Sequence, residues 1–186
     1  MRPPRSRAEK CPARERIVFR VMRFRLDISG SSRFLPPRVE SLSDEIERGL
    51  TALLGDVNAS AVVSCVSDDE MRELNARYRG FDEGTDVLSF PLWEKDGRFV
   101  PPFNWEELPL GDVVISPDFV RANAARENIG YNYEMARIVV HGVLHLVGYD
   151  HDTEERKRLM WELQESIVAD YGRICAARSK GGFMVE

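Results

Sequence analysis

Apolar positions along the chain alternate between two rhythms, a period of two and a period near 3.6, and the switches mark the elements. From Met22 the text MRFRLDIS alternates apolar and charged residues, which suits a half-buried strand. Over 37–54, Val39, Leu42, Ile46, Leu50 and Leu53 fall at helical spacing, and Gly55 ends the run. AVVSCV at 61–66 reads as a buried strand. Ser67 and Glu70 then form a capping box for a helix carrying Met71 and Leu74 to about Arg77. After two glycines, VLSF within 78–92 is the next strand. Residues 93–110 hold three prolines and little periodicity, so they read as a surface excursion. GDVVIS at 111–116 is a further strand, and Ser116-Pro117 is a helix start that runs to about Asn128, with Gly130 beyond. A helix from near Asn132 carries Met135, Ile138, Val139, Val143, Leu144 and Leu146 and stops at Gly148. The last helix, 153–171, shows Leu159, Met160, Leu163, Ile167 and Val168 on one side.

The order β-α-β-α-β-β-α-α-α predicts an α+β fold, a single small domain in which helices pack on a mixed four-stranded sheet. The 186 residues suffice for one real core, and 43% hydrophobic content is that of a globular chain. The domain is placed at 22–175, between a basic, disordered extension at 1–21 and a flexible tail at 176–186. Met22 opens the first strand-like run, which leaves open whether 1–21 belongs to the native protein.

Charge sharpens this division. Residues 1–25 hold nine basic and two acidic residues, net +7, whereas the remainder holds 17 basic and 29 acidic, net −12. That balance implies no broad nucleic-acid face. No apolar run approaches the roughly 18–20 residues of a membrane helix, and no apolar signal segment follows the basic start, so a cytoplasmic protein is expected. Cys11, Cys65 and Cys175 form no C-x-x-C pair and read as free thiols.

The candidate chemistry is concentrated in HGVLHLVGYDH, 141–151, which contains all three histidines of the chain. His141 and His145 stand four apart on a predicted helix, one turn apart on one face. Gly148 permits a left-handed turn that can bring His151 back as a third nitrogen. Three neutral imidazoles can hold zinc and leave a fourth position open, the mark of a catalytic rather than a structural site. Imidazole also suits nickel, copper and iron. The spacing H-x-x-x-H-x-x-G-x-x-H is that of metzincin peptidases, but those keep a glutamate base after the first histidine. Here that residue is Gly142, so a peptidase built on this site lacks its base.

With Gly142 and G-Y-D-H in view, the chain resembles the bacterial YbeY family of metal-dependent endoribonucleases. Three blocks carry the resemblance: 141–151, the run from Asn75 through Pro91 that contains Y-R-G and T-D-V-L-S-F-P, and G-D-V-V-I-S at 111–116. The resemblance spans about residues 22–171. It implies one zinc ion on His141, His145 and His151, and an arginine, Arg79, near the metal for substrate binding or catalysis. It implies single-stranded RNA as substrate, processing of the 3′ end of small-subunit rRNA, ribosome quality control, and the small subunit or its associated proteins as partners. A guanidinium suits that role because its planar fork takes two phosphate oxygens; alternatively, Arg79 simply favours a helix C-terminus. Asp86, Asp112 and Asp150 are at most supporting groups around the site. Ser89 either faces substrate or satisfies backbone. Attack by metal-activated water and by the adjacent 2′-hydroxyl both remain open. Two rival readings are a zinc peptidase and a non-catalytic, ribosome-associated zinc module.

Overall fold

The computed structural model describes residues 23–102 and 106–179; the proposed 1–21 extension and the end of the tail lie outside the described residues. Strand β1 (Phe24–Ser29) leads through a 3-10 turn into α1 (Val39–Leu54), then β2 (Asn58–Cys65), α2 (Asp68–Arg79) and β3 (Val87–Pro91). A small hairpin, β4 (Glu94–Lys95) and β5 (Arg98–Phe99), precedes β6 (Glu107–Ile115), and α3 (Pro117–Arg126), α4 (Tyr131–Leu146) and α5 (Glu154–Ser179) complete the order. The main sheet is mixed, in the order β1-β2-β6-β3. The first three strands are parallel, and β3 is an antiparallel edge. This is the expected α+β domain.

Local signals explain most boundaries. Ser67 and Glu70 make both bonds of the capping box at the start of α2. Ser116 caps α3 by accepting from the Phe119 N–H, with Pro117 at the first helical position. Four boundaries differ from the sequence reading, the first being β2, which begins at Asn58 rather than 61. The excursion contains the β4–β5 hairpin, whose turn residues Asp96 and Gly97 both have positive φ (52° and 69°), the geometry that an Asp-Gly turn favours. Strand β6 starts at Glu107 rather than 111 despite Pro109, which sits beside a bulge where the ladder with β2 skips Leu110. Helix α5 continues past its expected end at 171, and past the domain bound at 175, to Ser179 through Ala176 and Ala177, both strong helix formers. The helical spacing of α1 also placed Leu53 inward, but it is exposed and Leu54 is the buried neighbour.

The core lies on one face of the sheet. Helix α4 is its centre: it packs against β3, β6, α3 and α5, and it is buried on nearly every side. Helix α2 covers the other face, where Met71 meets Leu88 and Val114 in a small second cluster. Glycine is required where α4 crosses β6. A Cβ on Gly142 would overlap one Val113 methyl outright, stand 3.1 Å from the other, and lie 3.3 Å from Ser89 Oγ. The helix therefore lies on the sheet at a distance only a residue without a side chain permits.

Gly142→Ala is expected to destabilise the domain by about 1–3 kcal/mol, the usual cost of overpacking a tight core. In a Val113→Ala background the same replacement should cost clearly less, and a double-mutant cycle read by urea denaturation measures the difference.

Candidate functional site

Helix α4 presents His141 and His145 from adjacent turns, with Nε2 to Nε2 at 3.1 Å and ring centroids 4.7 Å apart. The helix then ends in a reversal in which Gly148 has φ 85° and its N–H donates to the His145 carbonyl at 3.1 Å. The Tyr149 N–H donates back to the Leu144 carbonyl at 3.1 Å. That turn brings the His151 ring to 5.7 Å from His141 and 5.1 Å from His145, centroid to centroid. One nitrogen from each histidine lies within 4.8 Å of the others, so the group can hold a metal ion. Two nitrogens bound to one tetrahedral zinc at about 2.0–2.1 Å stand about 3.3 Å apart. The spacing of His141 and His145 is already close to that.

Two residues that the sequence reading passed over organise the trio. Gln164 on α5 is fully buried, and its Oε1 accepts from His141 Nδ1 at 3.0 Å. A carboxamide oxygen can only accept, so the His141 proton resides on Nδ1 and the Nε2 lone pair faces His145. The detectable signal was a polar residue on the apolar stripe of the last helix, between Leu163 and Ile167. Arg156 braces the loop: it pairs with Asp152 at 2.8 Å, reaches Asp150 at 3.9 Å and donates to the Gly148 carbonyl at 3.4 Å. Its i,i+4 spacing from Asp152 was the available clue.

A cleft of about 620 Å³ joins the histidines to the edge strand β3, to Arg79 and to Arg156. Arg79 is the last residue of α2, exposed, and has no carboxylate partner among the described residues. By contrast, Arg72 on the same helix is held by Asp82 through two bonds, of 2.7 and 3.0 Å. The acidic candidates divide. Asp86 lines the cleft, but it accepts from Asn123 at 3.1 Å and from Thr85 at 3.3 Å and so ties β3 to α3. Asp112 is exposed on β6 opposite Phe90 and does not line the cleft. Asp150 lines it and accepts from the His151 backbone N–H at 2.8 Å, which shapes the turn rather than orienting an imidazole. Ser89 donates its hydroxyl to the Gly142 carbonyl at 3.1 Å, satisfying backbone as the second of its two readings held.

Burial sets the protonation of His141 and His145. It is the largest cause lowering the His145 pKa, from the ordinary value near 6.5 to about 4, and His141 and His151 push the same way. Asp150 and the Tyr149 backbone oppose the fall. Burial likewise lowers His141, against the hydrogen bond it donates to Gln164 and the field of Asp86, while His151 and Arg137 add to the fall. Both imidazoles are therefore neutral, the form a metal requires. In the metal-free protein, the unfolded chain takes up these protons first as pH drops below about 6.5. Stability from the neutral pair is thus complete above that pH and falls below it, the His145 share being lost on the way down to about 4. His145→Gln should flatten that part of the stability profile relative to wild type, read as urea midpoints across the window.

Comparison with known proteins agrees with this geometry. The family described as Endoribonuclease YbeY matches residues 38–172. An Endoribonuclease YbeY of Caldanaerobacter subterraneus is 36% identical over 152 residues, covering 80% of this chain and 92% of the relative. One from Shouchella clausii is 44% identical over 113 residues, covering 59% and 71%. The solution structure of a Thermotoga maritima protein is similar at 32% identity with a TM-score of 0.53, covering 86% of this chain and 95% of that one. The match runs from the start of α1 into α5 and takes in both the Arg79 block and the histidine block, and the chain belongs to the YbeY endoribonuclease family.

Proposed function

We propose that this protein is a zinc-dependent endoribonuclease that cuts single-stranded RNA. Its role is maturation of the 3′ end of small-subunit rRNA and ribosome quality control in the cytoplasm, with the small subunit or its associated proteins as partners. One observation carries the reading: in a chain of this family, three convergent imidazole nitrogens and an arginine without a carboxylate partner among the described residues line the same open cleft.

His141, His145 and His151 would hold the ion. Bound there, zinc supplies Lewis acidity toward a phosphate oxygen and toward water at neutral pH. Arg79 binds the scissile phosphate and stabilises the charge that builds on its oxygens during cleavage. Gln164 holds the His141 lone pair on the cleft side, and Arg156 fixes the turn that delivers His151. Gly142 gives the cleft no carboxylate base, and its Cβ direction runs into Val113 rather than toward the histidines. That geometry counts against the peptidase reading, as does membership of an endoribonuclease family. The hydrophobic core is built of apolar side chains from α4 and its neighbours and includes none of the three histidines, so the fold should not lean on the ion.

Arg79→Ala should lower the cleavage rate of metal-loaded protein by about 100-fold or more, the scale of losing one electrostatic stabiliser of a transition state, with zinc content unchanged. Equal rates for wild type and variant would remove Arg79 from the chemistry. Gln164→Leu should weaken zinc affinity about 10–100-fold, as loss of a ligand's hydrogen-bond partner does elsewhere, measured by competition with a chelating dye. Chelation should abolish cleavage and leave the far-ultraviolet circular dichroism intact; unfolding on chelation would instead identify a structural zinc module.

A further inference from the structure

The cleft has a second wall that the chemistry above does not use. Tyr78, on the last turn of α2, meets Phe90 of β3 edge to face, with centroids 4.9 Å apart and planes at 72°. Both rings line the same cleft as the histidines and Arg79. Phe90 is half-buried against the small cluster of Met71, Leu88 and Val114, so packing accounts for it. Packing does not account for Tyr78, which leaves 59% of its surface in water. Its ring is braced by Phe90 yet largely open, and it immediately precedes the arginine that faces the phosphate.

We infer that Tyr78, backed by Phe90, is a stacking platform for an unpaired nucleobase of the RNA strand whose phosphate Arg79 holds. The inference rests on the endoribonuclease reading and adds the group that selects single strands. Every base has a π-face, so an aromatic platform binds without reading sequence. In a duplex those faces are covered by neighbouring bases, so the platform finds a partner only where the strand is open. The charge of the chain beyond its basic start favours such a contact. From residue 26 onward the net charge is −12, and a protein of that sign gains little general affinity from displacing counterions from RNA. Stacking supplies affinity that does not depend on charge.

The test uses zinc-loaded full-length protein and a short single-stranded RNA carrying 2-aminopurine, read in the binding phase before cleavage. Tyr78→Ala should weaken binding about 5- to 150-fold, the range measured for loss of one base–aromatic stack. It should also abolish the 2-aminopurine fluorescence change, and Tyr78→Phe should preserve both. The salt dependence separates stacking from charge: Tyr78→Ala keeps the wild-type slope, whereas Arg79→Ala lowers it by about 0.7 for one lost phosphate contact on a single strand. Replacing the probe base by an abasic site should cost wild type as much as Tyr78→Ala does and cost that variant nothing more. If Tyr78→Ala, with unchanged melting temperature, binds and quenches as wild type does, the platform is overturned while the nuclease reading stands. If wild type neither binds nor cuts any RNA, the nuclease reading falls and the platform falls with it.

Discussion

The structure depends on how closely helix α4 lies on strand β6. At Gly142 there is no room for a Cβ between helix and sheet. That contact fixes the height of the helix over the sheet and its rotation about its own axis. With position 142 turned to the sheet, His141 and His145 are carried to the cleft side. The Gly142 carbonyl, held by Ser89, pins the edge strand to the same turn. One close approach thus sets both the histidine pair and the wall opposite it. The glycine that deprives the site of a peptidase-type base is the same residue that lets the helix dock.

The rest of the site follows from burial and bracing. Partial burial keeps His141 and His145 neutral and so ready for a metal. Gln164 orients the first of them from α5, and Arg156 on the same helix holds the turn that supplies the third. The long last helix therefore supports the site from behind without contributing a ligand. The two positive side chains at the cleft, Arg79 and Arg156, have different work. Arg156 is engaged with Asp152 and the Gly148 carbonyl, whereas Arg79 has no carboxylate partner among the described residues, as the proposed phosphate role requires.

Much of this was legible in the chain because local rules settle it. The Ser67 capping box, the Ser116-Pro117 start and the Gly148 stop each reflect bonds made within a few residues. The histidine spacing was legible for the same reason, since one helical turn and one glycine reversal define it. What escaped depends on contacts between distant segments. The pairing of Gln164 with His141 spans 23 residues and two helices. The meeting of Tyr78 with Phe90 requires α2 to lie across the edge strand. Asp112 belongs to a family-like block, yet it sits on β6, one strand in from the edge, and does not line the cleft. The Asp96-Gly97 hairpin was a missed local signal, masked by the prolines around it.

The most direct test is a zinc titration of metal-free protein followed by scission of a labelled single-stranded RNA and of its duplex. The account predicts that scission of the single strand rises to a break at one equivalent of zinc per chain, while the duplex stays intact. Scission that is indifferent to zinc, or none at any occupancy although the ion binds, would contradict it.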